Sequence, residues 1–157
     1  MVPDLAGLIA ALRDGGVRFV AIGGIAVAAH AVVRATEDLD VVPDPATQNI
    51  DALANTLAAL DARLVRNPER GVDAEVRSAL HRGRNVTVST RLGDLDIVQR
   101  LPGVPSYTRL DADALDATIL GTPLRVCSRE HLIAMKQARG SALDRSDLER
   151  LLQTDES

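Results

Sequence analysis

Aromatic side chains are almost missing from this chain. Phe19 and Tyr107 are the only two, and there is no tryptophan, which excludes a surface that stacks successive bases of a nucleic-acid strand. Cysteine occurs once. Cys127 has no internal partner for a disulfide, in keeping with a reducing compartment, and within Leu124-Arg125-Val126-Cys127 it reads as a buried structural thiol. No apolar run reaches the length of a membrane span, and Met1-Val2-Pro3-Asp4 opens no basic-then-apolar leader. The expectation is a cytoplasmic protein with no membrane partner. The histidines His30, His81 and His131 lack zinc-ligand spacing, and there is no Gly-x-Ser-x-Gly elbow. The net charge of −4 gives no global basic field to attract nucleic acid.

What is present fits an ordinary globular protein: 157 residues, 46% hydrophobic and 25% charged. That predicts one α/β domain spanning 1–157, with a core over about 17–127 and a helical tail over about 128–157. Asp4 caps a helix ended by Gly15-Gly16; a strand runs from about Arg18 to Ile22, and a helix follows from Gly23-Gly24 to about Val33. A second strand covers about Glu37 to Val42 and is stopped by Pro43-Asp44-Pro45. Helical spacing follows through Ile50, Leu53, Leu57 and Leu60, then a short strand near Leu64-Val65 and a helix over about 71–82. Asn85 to Thr90 alternates as a half-buried strand, and Leu92-Gly93 turns it into Asp94-Leu95-Asp96-Ile97-Val98. A hairpin turns at Gly121-Thr122-Pro123, Ser128 caps a helix to about Ala138, and a last helix runs from Asp144 or Ser146 to Leu152.

Two strands carry acids in the same pattern, Asp38-Leu39-Asp40-Val41-Val42 and Asp94-Leu95-Asp96-Ile97-Val98. Alternate residues of a strand point to one face, so Asp38 and Asp40 stand roughly 6 to 7 Å apart on the same side. Carboxylates inside apolar runs are costly without a cation or a partner. Gly23-Gly24, at the start of a helix, lets the backbone approach a phosphate that a Cβ would push away. As a Rossmann cradle the pair is poor: the third glycine is missing and the acids come too early. Asp96 is the best third acid, with Asp94 on its face. Lys136, the only lysine, can reach a phosphate as a compact charge or lie solvated on a helix. Arg66, Arg70, Arg77, Arg82, Arg84 and Arg91 crowd the middle third; they read first as a solvated face and second as a track for a polyanion. His30, on an apolar helix, reads as a satisfied core residue.

The combination Gly23-Gly24, Asp38-x-Asp40 and Asp96 resembles the nucleotidyltransferase superfamily with the DNA polymerase beta-like fold. Within it the chain looks most like small AbiEii-type proteins, several of which are toxins of toxin–antitoxin pairs. Arg34-Ala35-Thr36-Glu37-Asp38-Leu39-Asp40 matches their Arg-x-Thr-x-Asp-x-Asp, and Leu132-Ile133-Ala134-Met135-Lys136, Gly140, Asp144 and Asp147 match their ending. The chain departs from the family at Ala31, often glycine, and at Ser141, commonly arginine, although Arg139 lies nearby.

The resemblance implies a mixed sheet flanked by helices and a Mg²⁺- or Mn²⁺-dependent transfer of a nucleoside monophosphate from an NTP to a hydroxyl. It casts Asp38, Asp40 and Asp96 as metal ligands and catalytic acids, and Gly23, Gly24, Arg34, Thr36 and Lys136 as nucleotide-binding residues. The acceptor it implies is a tRNA end, a protein side chain or a small molecule, and the toxin role would bring a cognate antitoxin as partner. The alternative is a catalytically silent protein of the same fold acting as a binding or regulatory partner.

Overall fold

The structure, a computed structural model, describes residues 3–30 and 37–155. Its elements follow in the order α1 (Leu5–Asp14), β1 (Phe19–Ile22), α2 (Gly23–His30), β2 (Asp38–Pro43), α3 (Thr47–Ala59), β3 (Arg63–Leu64) and α4 (Ala74–His81). Then come β4 (Val86–Thr90), β5 (Gly93–Ile97), α5 (Tyr107–Asp113), β6 (Leu115–Ile119), β7 (Thr122–Val126), α6 (Arg129–Arg139) and α7 (Ala142–Asp155). Side-chain caps start the helices where the sequence offers them: Asp4 accepts from the Gly7 N–H, Asp73 from Val76, Ser106 from Arg109 and Ser128 from His131. Gly140 ends α6 in the left-handed conformation, φ +67°.

The seven strands form one mixed sheet in the order β3-β4-β5-β2-β1-β7-β6. β2 and β5 run parallel, as do β1 and β7, and the remaining neighbours are antiparallel. Period-two alternation sorts the central strands. Leu39, Val41, Leu95 and Ile97 are buried on one face, while Asp38, Asp40, Asp94 and Asp96 turn to the other. The first helix fills the core with Leu5, Leu8, Ile9 and Leu12, the i, i+3, i+4, i+7 spacing of an apolar face. The second helix packs against β1, β2 and β6 and also meets α6 and α7, which ties the C-terminal helices to the sheet.

The expected mixed sheet flanked by helices, with helices at the C-terminal end, is what the chain forms. Three local expectations shift. The second strand includes Pro43 as its last residue, paired across from Phe19. The fifth helix, over Tyr107–Asp113, was not legible as a periodic pattern; it is seven residues long and buries one residue, Leu110. The last helix starts at Ala142, ahead of Asp144 or Ser146, because Ser141 and Asp144 form a reciprocal cap. The Ser141 hydroxyl accepts from the Asp144 N–H at 3.0 Å and Asp144 Oδ2 accepts from the Ser141 N–H at 3.1 Å. Among the described residues, no helix is long and apolar enough to cross a membrane.

Candidate active site

The site begins where β1 runs out. Gly23 has φ +69°, a conformation that side chains disfavour, and a Cβ there would collide with the Asp40 carboxylate on the neighbouring strand. Ile22 is the cross-strand partner of Asp40, so the turn into α2 sits directly beside that acid. Gly24 is buried behind it, in the first turn of the helix.

The parallel register of β2 and β5 sets Asp38 against Asp94 and Asp40 against Asp96. Adjacent strands lie about 4.8 Å apart and alternate residues about 6.6 Å, so the four carboxylates form a two-by-two array on one sheet face. Asp38 is exposed and the other three are half-buried. Thr87, across from Asp96 on β4, donates its hydroxyl hydrogen to Asp96 Oδ1 at 2.8 Å, which fixes one carboxylate oxygen.

The array is electrostatically loaded. Burial raises Asp40 from its ordinary 3.8 to about 6, helped by the negative charges of Asp96 and Asp38 and opposed by Lys136 and Arg139. Asp38 moves the same way, first through burial and then through Asp94, Glu37 and Asp96. Repulsion of this kind is what a divalent cation relieves, and an all-carboxylate donor set suits a hard ion such as Mg²⁺ or Mn²⁺. Among the described residues, no three His, Cys, Asp or Glu side chains already converge tightly enough to hold a metal as they stand. The fit therefore rests on donor chemistry and on the backbone opening at Gly23.

A pH dependence follows. The folded chain keeps the Asp40 proton in a range where the unfolded chain has released it, so metal-free stability falls as pH rises from about 4 through about 6. A cation that binds the ionised carboxylates offsets this loss. In scanning fluorimetry Mg²⁺ should raise Tm clearly at pH 7.5 and little at pH 5; equal shifts at both pH values would detach the metal from these acids.

Gly23, Asp40 and Asp96 line a cavity of ≈ 360 Å³. Apolar residues, among them Val98, Leu101 and Met135, also line it, together with Lys136, Arg139 and Asp144. Lys136 is not solvated: its side chain is 8% exposed, and its ammonium lies 3.2 Å from Asp144 Oδ1 and 3.2 Å from Asp147 Oδ2, both fully buried. Arg139 Nε reaches Asp144 Oδ2 at 3.0 Å. Ser141 serves as the helix cap.

Of the residues singled out in the sequence, Gly23, Asp40, Asp96 and Lys136 meet around one cavity. Gly24 lies behind the turn, and Asp38 shares the acid face outside the cavity walls. Arg34, Thr36 and Ala31 fall outside the described residues. None of the six middle-third arginines lines the cavity. Arg70 forks onto Asp73 and Glu75, Arg77 binds Asn55, and Arg82 binds Ser78. The Cys127 thiol is buried and its pKa is pushed up to about 12, so it is no nucleophile. His30 Nε2 is spent on the Cys127 carbonyl at 2.8 Å. Sequence reasoning missed Thr87, whose only signal was its place in the strand opposite Asp96. It also gave no role to Asp144 and Asp147, whose i, i+3 spacing puts both on one helix face.

No protein-family model and no curated protein sequence matches the chain. Solved structures do. The antibiotic-resistance factor ANT(2'')-Ia in solution superposes with a TM-score of 0.61 at 16% identity, over 98% of this chain and 84% of that one. Its crystal structure with adenylyl-2''-tobramycin gives 0.59 at 16% identity, over 96% and 87%. An antigenic nucleotidyltransferase-like protein from Paracoccidioides brasiliensis gives 0.62 at 20% identity, over 95% and 72%. At such identities the likeness is one of fold, and the chain has the nucleotidyltransferase fold.

Proposed function

We propose that the protein is a Mg²⁺-dependent nucleotidyltransferase that moves a nucleoside monophosphate from an NTP to an acceptor hydroxyl and releases pyrophosphate. The observation that carries this is the register pairing of Asp40 with Asp96 beside the Gly23 turn, in one cavity with Lys136. Gly23 and the N–H groups at the start of α2 receive phosphate oxygens. Asp38, Asp40 and Asp96 would hold Mg²⁺ or Mn²⁺, which when bound neutralises charge on the phosphates and the departing pyrophosphate. Asp96, held through one oxygen by Thr87, takes the acceptor's hydroxyl proton. The acceptor oxygen bonds to the α-phosphorus as the bond to pyrophosphate breaks, a transfer governed by alignment and charge.

The acceptor belongs to one of three classes: a tRNA end, a protein side chain or a small molecule. The adenylyl-tobramycin held by the structurally similar ANT(2'')-Ia supports the small-molecule class. The AbiEii-type toxin role, with its cognate antitoxin, rests on sequence resemblance. The silent alternative draws its support from Ser141; Arg139, 3.0 Å from Asp144 Oδ2, offsets that departure.

The test is incubation with each α-labelled NTP, Mg²⁺, and in turn total RNA, cell extract and an aminoglycoside panel. Label should pass to one class of acceptor and stop on chelation with EDTA. No transfer to any of them, together with no NTP-dependent thermal shift, would overturn the enzyme reading in favour of the silent one.

A further inference from the structure

Lysine is rarely buried, and two aspartates with no exposed side-chain surface beside it are rarer still. Burying such a cluster is no efficient route to stability, since well-packed apolar residues do as well or better. Two members of this cluster, Lys136 and Asp144, line the cavity that Asp40 and Asp96 also line. An ammonium has three N–H donors. Asp144 Oδ1 and Asp147 Oδ2 stand 3.2 Å from Lys136 Nζ as ion-pair partners, so at most two of the three N–H groups face them. Among the described residues no partner takes the third, and the lysine lines the cavity it shares with Gly23 and Asp40. Its positive charge is also felt at Asp40, against the acids' repulsion.

A free lysine loses the rotamer entropy of its long stem when a ligand immobilises it. Here that loss is incurred in folding. Asp144 is itself fixed through the Ser141 hydroxyl at 2.6 Å and Arg139 Nε at 3.0 Å, which anchors that side of the clamp. We infer that Asp144 and Asp147 are positioning residues: they hold the Lys136 side chain in place, with one N–H directed into the cavity for a phosphate oxygen of the NTP. This rests on the nucleotidyltransferase reading and adds the groups that make its lysine competent.

The experiment replaces the buried pair by apolar residues of similar shape, Lys136→Met with Asp147→Leu, and measures three quantities. These are Tm, binding of Mn²⁺ alone, and binding of Mg²⁺ with each of ATP, GTP, CTP and UTP by calorimetry at 15 °C. The double variant should fold with Tm within about 5 °C of the parent. It should bind Mn²⁺ as the parent does and lose on the order of 10- to 100-fold in NTP affinity, the worth of one charged hydrogen bond. Asp147→Asn, which keeps the shape and loosens the clamp, serves if the double variant does not fold. It should raise KM for the NTP while kcat changes little, whereas a merely structural residue would lower Tm and leave KM alone. Unchanged NTP affinity in folded double variant, or unchanged KM in Asp147→Asn, overturns the inference and leaves the nucleotidyltransferase reading standing. A parent protein that binds Mn²⁺ but no NTP overturns both.

Discussion

Replacing Asp40 with asparagine is expected to abolish nucleotidyl transfer and, at the same time, to stabilise the metal-free protein. The two effects have one cause. Asp40 lies between Ile22 and Asp96, half-buried, and burial together with Asp96 and Asp38 lifts its pKa to about 6. At pH 7.5 the ionised group is therefore a burden on the fold. A tenfold change in proton affinity corresponds to about 1.36 kcal/mol, and solvent screening at a partly open site reduces the sum, leaving about 1 to 2 kcal/mol to be recovered. For a chain of this size that is a rise in Tm of roughly 2 to 8 °C, measurable in EDTA. The amide cannot replace an anionic metal ligand, so transfer should fall about a thousandfold or more, some 4 kcal/mol of transition-state stabilisation. The Mg²⁺-dependent Tm shift should disappear with it. A site strained for function and relaxed by mutation is a common trade. Persisting transfer would remove Asp40 from the chemistry; a variant less stable than the parent at pH 7.5 would contradict the electrostatic account.

The largest effect on stability is expected from Lys136→Met alone. The substitution keeps the length and apolar stem of the side chain but takes the ammonium from between Asp144 and Asp147, whose side chains are fully buried. Removing one partner from a buried ionic cluster costs about 3 to 5 kcal/mol, because the remaining charge keeps its desolvation penalty and loses its compensation. Arg139 and Ser141 still hold Asp144 Oδ2, which argues for the lower half of that range. A fall in Tm on the order of 10 °C at pH 7.5 is the expected reading, by calorimetry or circular dichroism. A loss under about 1 kcal/mol would mean that water reaches the cluster and that the lysine is in effect a surface residue.

How far the sequence carried can be read element by element. The acid strands were legible because burial of alternate residues writes a period of two into the chain, and Leu39, Val41, Leu95 and Ile97 are the buried partners of that pattern. Helix starts were legible where a capping side chain precedes a periodic apolar face, as at Asp4 and Ser128. The seven-residue helix at Tyr107 was not, since a single buried leucine has no period. Nor was the early start of the last helix, where the Ser141–Asp144 capping box adds a turn ahead of the apolar pattern.

The site divides along the same line. By itself the sequence determined that carboxylates stand in pairs on strand faces, that glycines open the backbone at the mouth of a helix, and that strands and helices follow one another in an α/β chain. These are local consequences of side-chain periodicity and backbone freedom. Only the tertiary structure decided that Asp40 faces Asp96, a register set by packing between strands far apart in the chain. Only the tertiary structure, too, buried Lys136, which helical spacing alone allowed to be solvated. The difference is physical: a residue's face is written in its neighbours, whereas its dielectric surroundings depend on what folds over it, here a second helix that brings Asp144 and Asp147 onto the lysine.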